Sequence, residues 1–103
     1  MEKLTTKQAF DQFLENNPRA LIYYSTSTCG VCQVMRPQVE QLLKDYPHFP
    51  IVEVVMDELP EVSAQQTIFA SPALIIYIDG KEYNRQAGYL RLDQLKMQLE
   101  RLS

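Results

Sequence analysis

Two cysteines, Cys29 and Cys32, are the only ones in the 103-residue chain, and only two residues separate them. They lie at the start of a helical pattern within STSTCGVCQVMRPQVEQLL, residues 25–43. A cysteine in the first turn of a helix faces unpaired backbone N–H groups and the positive end of the helix dipole, and both favour the thiolate. The position of Cys29 therefore predicts a nucleophilic sulfur.

The second cysteine is placed to complete a redox pair. Three residues after Cys29, Cys32 lies on the same side of the first turn, near enough to form a disulfide and to displace a substrate bound as a mixed disulfide. The first sulfur projects towards solvent ahead of the helix, whereas the helix increasingly covers the second. We therefore expect Cys29 to attack and Cys32 to resolve.

Two other interpretations of the cysteines remain open at this point. Structural zinc takes four ligands, and besides the cysteines the chain offers only one histidine, His48. Coordination that bridges two chains, as in an iron–sulfur cluster, would take the missing ligands from the second chain. Free cysteines can also be inert core residues, but the Ser, Thr and Gly neighbours are not typical of a core. The pattern favours thiol chemistry with neither a metal nor another cofactor.

Apolar periodicity predicts the order α, β, α, β, α, β, β, α along the chain. Short apolar runs typical of buried strands occupy residues 20–24, 51–56 and 73–78. Helical spacing of apolar residues follows Cys29 and returns from Leu92 to the end. Parallel crossovers followed by a hairpin imply an α/β protein, with a mixed central sheet of four or five strands flanked by four helices.

The element boundaries follow from capping and turn residues. Thr5 and Gln8 fit a capping box before the first helix, which residues 16–18, Asn-Asn-Pro, should end. A short helix is expected from residue 60 to about 69. Asp79-Gly80 is typical of the turn in a β-hairpin, so we expect the strongest strand to lead directly into an antiparallel partner.

Composition and charge limit the function classes. With 46% hydrophobic and 22% charged residues, the chain is typical of one globular domain spanning residues 1–103. The net charge of −3 and the scattered basic residues argue against nucleic acid. The chain has neither the roughly 20 apolar residues that span a bilayer nor a signal-peptide pattern. We expect a cytoplasmic monomer that does not bind membranes, in a compartment where paired cysteines indicate redox chemistry.

Several motifs in a fixed order resemble the thioredoxin family. Cys29-Gly30-Val31-Cys32 follows a strand and opens a helix, as the redox motif of that family does. Pro37 matches a proline eight residues after the first cysteine, and Ser71-Pro72 matches a cis-proline before an apolar strand. Asp79-Gly80 matches the family's hairpin and Gly88 a glycine before the last helix. The resemblance covers nearly the whole chain and implies a thioredoxin fold.

The resemblance also implies an activity. Members of the family reduce protein disulfides through a dithiol–disulfide cycle, here of Cys29 and Cys32, without a bound cofactor. The partners would be disulfide-containing proteins and an electron donor, either a thioredoxin-reductase-like enzyme or a small thiol. The family further implies that the Ser71–Pro72 bond is cis, and that a short edge strand, if present, lies within residues 1–4.

The chain departs from the family pattern beneath the cysteines. Thioredoxins usually carry a buried Asp six residues before the first cysteine and a Lys on the next strand, and here these positions hold Tyr23 and Glu53. We expect Glu53, with a pKa raised by burial, to accept the proton of Cys32, assisted by the Tyr23 hydroxyl. The alternative is that Glu53 points into solvent while Tyr23 packs in the core.

The expected partner surface also differs from the family pattern. The usual tryptophan before the motif is replaced by Thr28, and Val31 replaces the usual proline between the cysteines. An adaptor that binds proteins through this face without redox activity is therefore a second candidate. We expect substrate contacts from Thr28, Gly30, Val31, Ala70, Ser71, Pro72, Ala87 and Gly88, with Tyr89 as a further candidate.

Overall fold

The computed structural model of the protein describes residues 1–103. It has the predicted order of elements, preceded by one very short strand. The elements are β1 (Glu2–Lys3), α1 (Lys7–Asn16), β2 (Arg19–Ser25), α2 (Gly30–Leu43), β3 (Ile51–Val55), α3 (Pro60–Gln65), β4 (Ala73–Ile78), β5 (Lys81–Ala87) and α4 (Leu92–Leu102).

The five strands form one mixed sheet in the order β1-β3-β2-β4-β5. β1, β3 and β2 run parallel to one another, whereas β4 pairs antiparallel with both β2 and β5. Ser25 at the end of β2 is in register with Val55 at the end of β3, and Tyr24 with Ala73 at the start of β4. The loops after β2 and β3 and the loop before β4 therefore meet at one end of the sheet.

Each face of the sheet packs against two helices. Because β2 is central and covered on both faces, all of its residues after Arg19 are buried. Phe10 of α1 and Val62 of α3 pack against Ile22, Tyr24, Val52, Val54, Ile75 and Tyr77. Val39 and Leu43 of α2 and Leu95 and Leu99 of α4 pack against Leu21, Tyr23, Leu74 and Ile76 on the other face.

None of the helices combines the length and hydropathy needed to cross a bilayer.

α3 is shorter than the sequence indicates, because a side chain of β5 binds the carbonyl groups of the two residues that follow the helix. It ends at Gln65 rather than near Phe69. The guanidinium of Arg85 on β5 donates to the carbonyl oxygens of Gln66, at 2.7 Å, and of Thr67, at 2.9 Å. Thr67 also has a φ of 60°, which is outside the helical region. These contacts turn the chain out of the helix.

The two edges of the sheet differ in length. β1 contains only two residues, whereas β5 contains seven and carries charged side chains along the open edge. Arg85 forms an ion pair with Glu82 at 2.7 Å, and Lys81 is exposed at the start of the strand.

The first helix is capped by a neighbour of the predicted residue. Thr6, not Thr5, precedes α1, and its hydroxyl oxygen accepts a hydrogen bond from the backbone N–H of Ala9 at 3.0 Å. The expected capping box with Gln8 is therefore wrong by one position, because two adjacent threonines offer the same chemistry and only the backbone geometry distinguishes them.

Replacing Thr6 by Ala should lower the free energy of unfolding by about 1 kcal/mol, because the Ala9 N–H loses its partner. Thr5→Ala is the matched control and should change stability by less than about 0.5 kcal/mol. Urea unfolding followed by circular dichroism measures both values. Equal losses in the two variants would contradict this assignment of the cap.

Candidate active site

Cys29 and Cys32 are joined by a disulfide at the start of α2, with their Cα atoms 5.3 Å apart. Cys29 is the N-cap residue, and its sulfur accepts a hydrogen bond from the backbone N–H of Cys32 at 3.1 Å. Cys29 is partly exposed, whereas Cys32 is fully buried. A helix N–H directed at the first sulfur favours its thiolate once the pair is reduced.

The loop that leads to Cys29 is held by a carboxylate from the end of β3. Asp57 accepts a hydrogen bond from the backbone N–H of Ser27 at 3.0 Å and another from the Ser27 hydroxyl. These hydrogen bonds hold the pKa of Asp57 below its ordinary value of 3.8. Sequence reasoning did not find this contact, because the two residues are 30 positions apart and meet only through the register of β2 and β3.

The Ser71–Pro72 peptide bond is cis, as the resemblance implies. The carbonyl oxygen of Pro72 accepts a hydrogen bond from the backbone N–H of Gly88 at 2.8 Å. A Cβ atom added to Gly88 would lie 3.8 Å from the Cβ of Ala70, and Gly88 has a φ of 84°. These contacts hold the loop before β4 next to the loop after β5.

The expected contact residues divide by exposure. Val31, in the loop between the cysteines, is 59% exposed, whereas Pro72 is buried and Ser71 is partly buried. Val31 therefore offers its side chain for contact, whereas the buried Pro72 supports the backbone that precedes it. The other five expected contact residues are exposed: Thr28, Gly30, Ala70, Ala87 and Gly88.

Three large apolar side chains extend this surface. Phe69, just before the cis-proline loop, is 87% exposed, Tyr89, just after Gly88, is 79% exposed, and Val34 on α2 is 61% exposed. Phe69 and Val34 were not expected from the sequence. The available signal was a large apolar residue within two positions of the CxxC motif or of Ser71-Pro72.

Glu53 lies in a buried hydrogen-bonded network on the α2 side of the sheet. Its side chain is 8% exposed, and Arg36 of α2 donates to it from Nε to Oε1 at 3.0 Å and from Nη2 to Oε2 at 2.5 Å. The Ser25 hydroxyl donates to Oε2 at 2.6 Å. Both carboxylate oxygens are therefore occupied, and Glu53 does not point into solvent.

The expected direction of the Glu53 pKa is wrong. Burial alone would raise this pKa, but the hydrogen bonds from Arg36 and Ser25 and the charge of Arg36 hold it below the ordinary value of 4.5. The sequence indicated burial correctly but did not indicate the cation that accompanies it. Acceptance of a proton from Cys32 by Glu53 stays a prediction.

Tyr23 is fully buried and contacts the backbone of Cys32. Its hydroxyl donates to the carbonyl oxygen of Cys32 at 2.8 Å. Burial raises the pKa of Tyr23 to about 12, against a smaller opposing effect of Arg36, so the hydroxyl remains protonated at neutral pH. The Tyr23 ring also lies 5.8 Å from the guanidinium carbon of Arg36.

Arg36 is the charged residue that sequence reasoning missed. It lies on α2 one turn after Cys32 and 17 positions before Glu53. Its spacing from Cys32 was visible in the sequence, but its pairing with Glu53 depends on how α2 packs across β2 and β3. No group of three or more His, Cys, Asp or Glu side chains is placed to hold a metal ion.

Comparisons with known proteins agree on one family. The thioredoxin family model matches residues 2–101. A thioredoxin of Chlamydia trachomatis is 35% identical over 73% of this chain and 74% of its own length. A thioredoxin-like protein of Bacillus subtilis is 28% identical over 99% of this chain and 91% of its own length. The structure of Fasciola hepatica thioredoxin superimposes with a TM-score of 0.88 at 26% identity, and covers 98% of each chain.

Replacing Glu53 by Gln should lower the free energy of unfolding by about 3 kcal/mol at pH 7, because Arg36 is left without its charged partner. The depressed pKa of Glu53 means that its contribution is complete above pH 4.5 and is lost as the pH falls through the folded-state pKa. The difference between variant and parent should therefore narrow below pH 4.5, as measured by urea unfolding between pH 7 and pH 3.

Glu58→Gln is the control, because Glu58 forms an exposed ion pair with Lys3 at 2.9 Å. Exposed pairs contribute little, so this variant should stay within about 1 kcal/mol of the parent at every pH. A constant difference between Glu53→Gln and the parent down to pH 3 would show that Glu53 is not held ionised.

Proposed function

Because the chain belongs to the thioredoxin family of thiol–disulfide oxidoreductases, we propose that it reduces protein disulfides with Cys29 as the attacking sulfur and Cys32 as the resolving sulfur. The observation that carries these roles is the asymmetry of the pair. The partly exposed Cys29 sulfur accepts the N–H of Cys32, whereas Cys32 is buried behind it. Exposure and a helix N-terminus together suit the nucleophile.

The reaction transfers two electrons from the dithiol to the substrate. The Cys29 thiolate attacks one sulfur of a substrate disulfide and breaks it, so that a mixed disulfide forms and the other substrate sulfur leaves as a thiolate. Cys32 loses its proton, which the departing thiolate takes up directly or through water. The Cys32 thiolate then attacks the Cys29 sulfur, forms the internal disulfide and releases the second substrate thiolate.

The cycle needs an electron donor but no bound cofactor. The two electrons and two protons are stored in the dithiol, so a thioredoxin-reductase-like enzyme or a small thiol must reduce the Cys29–Cys32 bond after each turnover. Reductases and disulfide substrates are the partners of this family. Which donor serves this chain is decided by its contact surface, and thus by the residues that replace the usual tryptophan.

Substrate proteins should dock at the end of the sheet that carries the disulfide. Val31 lies between the cysteines, and Phe69 and Tyr89 flank the joined loops around Pro72 and Gly88. Large exposed aromatic groups beside a reactive pair suit an extended substrate segment with apolar side chains next to its cysteine.

A monomer of one domain in a reducing compartment such as the cytoplasm fits this function. Both apolar layers share one sheet, which supports a single domain over residues 1–103. Both cysteines belong to the redox pair, so the chain has no further disulfide of the structural kind that is typical of oxidising compartments.

The activity is tested by insulin reduction in the presence of dithiothreitol. The parent protein should accelerate precipitation of the insulin B chain, and Cys29→Ser should remove the acceleration because no nucleophile remains. In a separate incubation, after reduction and removal of dithiothreitol, Cys32→Ser should accumulate covalent complexes between Cys29 and substrate proteins, visible on a non-reducing gel. An adaptor without redox activity would show no acceleration and no complexes. Trapping by Cys29→Ser and not by Cys32→Ser would reverse the roles of the two sulfurs, and equal trapping by both variants would contradict their asymmetry.

The docking surface is tested by Phe69→Ala and Tyr89→Ala. Each should raise the KM for insulin several-fold and lower the ratio of the insulin rate to that of a small aromatic disulfide, because only a protein substrate reaches these side chains. Tyr83→Ala is the matched control, since Tyr83 is an exposed aromatic on β5, four residues before Ala87. An equal change of the ratio in all three variants would contradict this surface.

A further inference from the structure

Two contacts link Arg36 to the turn that carries the resolving cysteine, and a third holds its guanidinium to Glu53 on β3. Helical side chains lean towards the N-terminus of their helix, and Arg36 donates from Nη1 to the side-chain oxygen of Gln33, next to Cys32, at 2.8 Å. Its guanidinium carbon lies 5.8 Å from the centre of the Tyr23 ring, and the Tyr23 hydroxyl donates to the Cys32 carbonyl. Its third contact is the pair of hydrogen bonds to Glu53.

Few charged groups take part in the network of contacts that reaches Cys32. β3 contributes the ionised Glu53, and α2 contributes Arg36. β2 contributes the neutral Tyr23 and Ser25 hydroxyls. Farther out, Glu40 on α2 interacts with Arg36 and pairs with the N-terminal amine, which also interacts with Glu53. Of the two central charges, only the positive one belongs to the helix of Cys32, at a spacing that places both on one face.

We propose that Arg36 is a positioning residue for the resolving step: its guanidinium favours the thiolate of Cys32, while Glu53 serves as its fixed counter-ion and does not accept the proton. This inference rests on the proposed reduction cycle and assigns the electrostatics of its second half. The proton of Cys32 leaves to water, and the electron pair left on sulfur forms the bond to Cys29.

The hydrogen bonds of Glu53 argue against a role as proton acceptor. Both of its oxygens already accept hydrogen bonds from Arg36, and Oε2 also accepts one from Ser25. A thiol has an ordinary pKa of about 8.5, so transfer of its proton to a carboxylate whose pKa lies below 4.5 is unfavourable by a factor of about 10⁴ or more. A fixed positive charge favours the same thiolate without having to receive the proton.

The test measures the resolving step directly with 5,5′-dithiobis(2-nitrobenzoate). The reduced protein attacks this disulfide through Cys29 and releases one coloured thiolate, and Cys32 then releases the second. The rate of the second release against pH reports the ionisation of Cys32. Arg36→Gln should move the midpoint up by about one pH unit and slow the second release about tenfold at pH 7, because the positive charge is removed.

Glu53→Gln should move the midpoint in the opposite direction. Without the carboxylate, Arg36 is not neutralised, and the midpoint should fall by about one pH unit, with faster second release at pH 7. The double variant Arg36→Gln/Glu53→Gln should return close to the parent profile. Arg36→Lys keeps the charge and should stay near the parent, which separates the effect of charge from that of packing. Circular dichroism confirms that each variant is folded.

Opposite shifts in the two single variants support the proposal. A rise of the midpoint in Glu53→Gln would make Glu53 the proton acceptor and overturn it. Shifts in the same direction, or none, would give the ion pair a purely structural role and also overturn it. If the parent protein itself releases only one thiolate, the proposed reduction cycle is wrong, and this inference fails with it. A wrong role for Arg36 gives a different result, because the parent then still releases two thiolates.

Discussion

The start of α2 at Cys29 is the constraint on which the rest of the site depends. The helix directs the N–H of Cys32 at the Cys29 sulfur and covers the Cys32 side chain, so two identical side chains acquire different exposure and different electrostatic surroundings. The parallel pairing of β2 with β3 carries this helix start to the same end of the sheet as the Asp57 loop. The antiparallel strands β4 and β5 bring the remaining loops there. The surroundings of Cys29 thus depend on strand order as much as on local sequence.

The features predicted well from the sequence are those whose causes are local. The bounds of β4, the hairpin that joins it to β5 and the start of α2 follow from periodicity, turn residues and spacing. The family, fold class and activity class are also confirmed. The errors arose where distant residues decide. α3 ends early because Arg85 binds the carbonyl groups of the two residues that follow it. The pKa of Glu53 falls because Arg36, on another element, compensates its burial.

The exchange of a buried acid for an ion pair changes what the core beneath the disulfide requires. A single buried carboxylate is costly and tends to take up a proton, whereas a pair with good hydrogen bonds remains ionised but needs both members. Ser25 and the ring of Tyr23 complete the surroundings of the pair, and every buried polar side-chain atom in the structure has a partner. The positions beneath the cysteines are therefore coupled, so substitutions at Arg36 and Glu53 should not have additive effects.

The charged outer strand β5 has a consequence for how the protein meets others. An open strand edge is a template on which a second chain can add a strand, and lysine or closely spaced opposite charges make that addition unfavourable. Lys81 and the Glu82–Arg85 pair lie along this edge, while β1 exposes only two residues on the other side. Both edges of the sheet therefore disfavour the repeated strand addition that leads to fibrils. Partner proteins are expected to bind at the loops at the ends of the strands, and not by pairing with the backbone of an edge strand.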